Sequence, residues 1–159
     1  MTAATRPVRR SSQAADPVGR RVNVERAAVM ALGHRAEPAA LDRLLEWCRT
    51  DTAAAAAGLV DEPVAEARFH RALLDAAGDP ALRRLGDRLL GADDLGGCAT
   101  LRATLATLAE HEAIVVALQR GALEEAASLL EAHLYRRAVL ALLSRSESPR
   151  CPAPGCPPP

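Results

Sequence analysis

Apolar positions recur along this chain at three- and four-residue steps, the period of amphipathic helices, and the repeats are broken by Gly, Asp-Pro and Gly/Asp-rich punctuation. The pattern predicts a first helix over 22–32, stopped by Gly33. A second starts near Pro38, a residue suited to the first helical turn, and runs through Leu41, Leu44, Leu45 and Trp47 to a stop at Gly58. Asp61 and Pro63 open a third, which closes at Gly78, and the Asp79-Pro80 pair opens a fourth that ends at Gly91. The stretch 91–97 reads as a loop. A fifth helix is expected over 99–120, and Gly121 separates it from a sixth over 123–143. Alternating Val/Ile-rich stretches are missing, so no sheet is expected. The predicted fold is an all-α, antiparallel bundle of about six helices with short connections.

Composition sharpens this picture at the ends. With 159 residues the chain has the size of one domain, and 49% hydrophobic against 25% charged residues is a globular balance. Residues 1–20 read as a disordered basic lead-in carrying Arg6, Arg9, Arg10 and Arg20. The six prolines of 145–159 exclude a helix and mark a disordered tail, which leaves 21–144 as the folded domain. The twenty cations, all Arg, balance twenty acidic residues, so no general attraction to nucleic acid or anionic membrane is expected. Aromatic residues are 2% of the chain, too few for base-stacking platforms. No secretory signal or membrane-length apolar run is apparent, and a cytoplasmic location is the expectation. Cys48, Cys98, Cys151 and Cys156 form neither a disulfide framework nor a paired-Cys zinc signature.

Candidate chemistry rests on three of the four histidines. In the fifth helix Leu108, His111, Val115 and Leu118 share one stripe, and in the sixth Ala126, Leu130, His133 and Arg137 share another. His111 and His133 both lie eleven residues from Ala122, the centre of the intervening turn. At 1.5 Å rise per residue each is roughly 16 Å from that turn, so an antiparallel hairpin sets them level. The third helix adds Glu66 and His70 at i,i+4 on one face. One carboxylate and three imidazoles suit a divalent ion of the zinc, nickel, copper or iron type. Spacing alone leaves two readings open, since buried histidines on apolar helix faces are commonly just hydrogen-bonded, and Glu/His pairs at i,i+4 are commonly surface pairs. His34, in the Gly33-His34-Arg35 connection, reads as a solvated loop residue. Glu110 and Glu112 flank His111 and are expected to point away from its face.

At these residues the sequence resembles a known family. Glu66-Ala-Arg-Phe69-His70, followed by Asp79-Pro80-Ala-Leu82, is similar to the acidic-x-x-Phe-His…Asn-Pro-x-Leu segment of the FCD domain, the C-terminal sensor domain of FadR-subfamily GntR transcriptional regulators. Glu110-His111-Glu-Ala-Ile114, with Ala117 and Gly121, resembles its Glu-His-x-x-Ile pattern. His133-Leu134 resembles its closing His-Leu, and Arg21-Val-Asn-Val24-Glu25 its first-helix Arg-x-x-Leu-Glu. The resemblance spans 21–143. It implies a divalent ion, zinc or nickel, held by Glu66, His70, His111 and His133, with Arg21 facing the carboxylate of a small organic-acid effector. It also implies a homodimer and a sensing rather than an enzymatic role.

Three departures from the family pattern stand out: Glu66 in place of Asp, Asp79 in place of Asn, and a shortened, Gly/Asp-rich stretch over 88–101. The family's N-terminal winged helix-turn-helix does not fit into the lead-in, so sequence-specific DNA binding by this chain alone is not expected. The rival readings are a metal-dependent hydrolase, which needs a general base beside the ion, and a metal-free dimerisation bundle.

Overall fold

A computed structural model describes residues 16–35, 37–90 and 100–147. Six helices and no strand occur among the described residues: α1 (Pro17–Arg35), α2 (Pro38–Ala56), α3 (Glu62–Ala76), α4 (Pro80–Leu90), α5 (Leu101–Gln119) and α6 (Leu123–Glu147). The all-α bundle read from the sequence is therefore the observed architecture. The expectations for 1–15, for the 91–97 loop and for 148–159 lie outside the described residues.

Helix boundaries follow local chemistry. Asp79 caps α4, its Oδ1 accepting from the backbone N–H groups of Ala81 at 2.7 Å and Leu82 at 3.2 Å. Thr100 caps α5 through its Oγ1, which accepts from Ala103 N at 3.3 Å. The α5–α6 turn needs a left-handed residue, and Gly121 supplies it at φ 71°.

The first helix departs from expectation at both ends. It begins at Pro17, inside the predicted lead-in, because Asp16-Pro17 repeats the Asp-Pro start signal of α4, and Asp16 Oδ1 accepts from Val18 N at 3.1 Å. It also runs through Gly33 to Arg35, so His34 is an exposed residue in the last helical turn and not in a loop. Gly33 marks a close approach instead of a stop: a Cβ there would sit 2.1 Å from Leu123 Cδ2 at the start of α6. At the other end, α6 continues past Leu143 to Glu147.

Helix α3 lies at the centre, packed against α1, α2, α4 and α5, while α6 packs against α1 and α5. The core they share includes Val29, Leu32, Leu44, Leu73, Leu74, Ile114, Val115, Leu118 and Leu130. Burial of each such Leu or Val contributes about 1.5–3 kcal/mol, so the stripes that carry the histidines are pinned inward by their apolar neighbours. No helix among the described residues is long and apolar enough to cross a membrane.

Candidate metal centre

Four helix-borne side chains meet inside this core. Helix α3 presents Glu66 and His70 one turn apart, α5 presents His111 between Leu108 and Val115, and α6 presents His133 beside Leu130 and Leu134. All four are buried, the three imidazoles to 1% exposure or less. Each offers a ligand atom, and the four atoms lie within 4.8 Å of one another. The level placement of His111 and His133 expected from their equal distance to the turn is observed, with ring centroids 4.8 Å apart. Phe69 stacks on His111 at 3.9 Å and fixes the plane of that ring.

Glu66 is the hub. Its Oε1 lies 3.0 Å from His70 Nε2 and 3.3 Å from His133 Nε2, and its Oε2 lies 3.1 Å from His111 Nε2. His70 Nε2 and His133 Nε2 are 3.2 Å apart. The longer glutamate side chain thus spreads its two oxygens across all three imidazoles.

Behind two of the histidines stand further carboxylates. His70 Nδ1 donates to Glu25 Oε2, and Glu25 in turn accepts from Arg21 Nε at 2.7 Å. His133 Nδ1 donates to Glu110 Oε2 at 3.0 Å, and Arg136 holds the same carboxylate. Glu110 therefore does not point away from the centre as its position beside His111 led us to expect. It leans across the α5–α6 seam to the neighbouring helix. Glu112 does face outward, 3.2 Å from Arg49 Nε. Arg21 is buried, with Nη2 3.6 Å from Glu66 Oε1, so the residue expected to face an effector stands at the centre's edge.

A buried ion pair between α3 and α6 completes the surroundings. Arg137 Nη1 donates to Glu62 Oε1, which also accepts from Thr107 Oγ1 at 2.9 Å. Arg137 Nε lies 3.8 Å from Glu66 Oε1. In the sequence Arg137 shares the His133 stripe and Glu25 belongs to the first-helix motif, but neither position specifies these contacts. The signals available were the i,i+4 spacings of Arg21 with Glu25 and of His133 with Arg137. Glu62 appears in sequence only as an acidic residue near a helix start, with nothing to announce its burial.

Electrostatics follow from this packing. Burial pushes the Glu66 carboxyl up, but the charge of His70 and hydrogen bonds from His111, His133 and His70 outweigh it and hold the group well below the usual range. Burial likewise raises Glu25 and Glu110, and in each the His and Arg partners outweigh it, leaving both carboxyls lowered. His111 is pushed down to about 4, chiefly by desolvation, with Glu66 opposing. Desolvation also lowers His133, yet its bonds to Glu110 and Glu66 leave it raised.

The donor set fits a divalent transition metal. Ionised Glu25 and Glu110 take the Nδ1–H of His70 and His133, which leaves each Nε2, on the side of Glu66, as the atom that could meet an ion once its proton is displaced. This carboxylate–histidine arrangement is the one that orients imidazoles toward metal ions. Ligands held ~2.0–2.2 Å from one ion lie ~3–4 Å from each other, a spacing the observed contacts approach.

A family model described as the FCD domain matches residues 20–136, most of the chain. No curated protein and no solved structure gives a match to it.

Proposed function

Because the chain belongs to the FCD domain family, the effector-binding domain of GntR-type regulators, we propose that it is a metal-dependent sensor of small organic acids. In this reading Glu66, His70, His111 and His133 hold one divalent ion, zinc or nickel. The ion supplies an electrophilic anchor for the effector's carboxylate, and Arg21 contributes a charge-assisted hydrogen bond beside it. The family's regulatory role favours sensing over turnover, and the domain works as a homodimer in which effector binding shifts the helix arrangement. Such a shift requires the effector to bind one arrangement more tightly, each tenfold preference contributing about 1.4 kcal/mol.

The observation that carries the reading is the convergence of one carboxylate and three imidazoles, from three helices, within 4.8 Å of one another in a buried core. Elemental analysis of protein purified without chelators tests it. The expected result is about one divalent ion per chain, lost when His111→Ala and His133→Ala are combined. Metal-free protein that also fails to take up zinc or nickel on dialysis overturns it.

A further inference from the structure

We propose that Arg137 is a second anion-contacting residue of this centre, reaching the effector carboxylate from α6 as Arg21 does from α1. The inference rests on the metal-and-carboxylate reading above and adds a residue to it.

Arg137 is 6% exposed, and its Nε is buried without a hydrogen bond. A buried N–H in that state carries its full desolvation cost, so an unmade bond there points to an absent acceptor. The guanidinium is not free to turn away. Its Nη1 is tied to Glu62, and Glu62 is itself fixed by the Thr107 hydroxyl. What remains is the Nε edge, 3.8 Å from Glu66 Oε1 and therefore beside the same oxygen that His70, His133 and Arg21 approach. An anion seated at the ion comes within reach of that edge. Arginine suits the task because its charge is permanent and its N–H geometry matches a carboxylate.

Charge balance around the centre points the same way. Arg21 with Glu25, Arg137 with Glu62, and Arg136 with Glu110 form three neutral pairs, so that with the imidazoles neutral, as metal ligation requires, Glu66 is the remaining charge. A divalent ion on Glu66 turns this into one net positive charge, which a single carboxylate neutralises. Replacing Arg137 alone would change that balance as well as remove the contact. Replacing Glu62 and Arg137 together removes the contact and keeps the balance, and it leaves no buried charge without a partner.

The test uses the full chain loaded with Co(II), whose visible spectrum reports changes in coordination, titrated with acetate and with neutral acetamide as control. Wild type is expected to respond to acetate. Arg137→Gln and the double variant Glu62→Gln/Arg137→Gln are expected to retain the ion at near wild-type affinity and to bind acetate about ten- to a hundredfold more weakly. Unchanged acetate affinity in the folded double variant overturns the proposal, with the Nε satisfied by solvent. A drop in Co(II) affinity with acetate affinity unchanged also overturns it, because Arg137 would then act only by positioning Glu66. Wild type that holds Co(II) but ignores acetate sinks the carboxylate-sensing reading itself, and this inference with it.

Discussion

Glu66 accepts approaches from three imidazoles and stands near two guanidiniums, yet its carboxyl remains ionised because those partners together outweigh its burial. In the proposed centre Glu66 works together with oriented imidazoles, and His70 is held by Glu25. Glu25→Gln keeps the shape but loses the charge that holds Nδ1–H, so metal affinity is expected to fall about 10- to 100-fold in competition with a chromophoric chelator. Unchanged affinity would deny Glu25 that role. Cys48 makes a contrasting case: burial, with the nearby charges of Glu112 and Asp51, pushes its thiol up to about 12. It therefore stays protonated at pH 7–9, and iodoacetamide followed by peptide mapping is expected to leave it unlabelled in folded protein and labelled in denaturant. The convergence of Glu66, His70, His111 and His133 was legible in the sequence because helical periodicity and equal distances from a turn are one-dimensional facts. Glu110's contact with His133, and Arg137's with Glu62, depend on how far neighbouring helices rotate about their axes, which spacing does not encode.

Helices behaved the same way: start signals with a chemical cause could be read, and close approaches could not. Asp79-Pro80 marks α4, but the identical pair at Asp16-Pro17 was hidden by the arginines around it, and α1 begins there. Gly33 looked like a terminator and is a contact with Leu123. Gly86 is a second such contact, inside α4 and against α3, where a Cβ would lie 2.2 Å from Leu74 Cδ1. Leu74 is wholly buried, so displacing it disturbs the close-packed core. Gly86→Ala is therefore expected to destabilise the protein by about 1–3 kcal/mol in urea unfolding, although Ala is intrinsically the better helix former by ~1 kcal/mol. A stabilised variant would show that α3 and α4 separate easily.

Taken together, the helices converge on a centre that ties α3, α5 and α6 directly and α1 through Glu25. A ligand that binds only the folded chain stabilises it by about 2.7 kcal/mol at a hundredfold excess over its Kd. Thermal unfolding is accordingly expected several degrees lower after chelation, and restored by zinc or nickel. A melt indifferent to chelation would favour the metal-free bundle. The overall class was the most legible feature of all, because Ala- and Leu-rich segments at helical period admit few architectures. Which faces meet was fixed by packing. X-ray absorption at the metal edge of protein purified without chelators tests the centre most directly. Three imidazole nitrogens and a carboxylate oxygen at about 2.0–2.2 Å are predicted. A spectrum of water oxygens alone, or no edge at all, would contradict it.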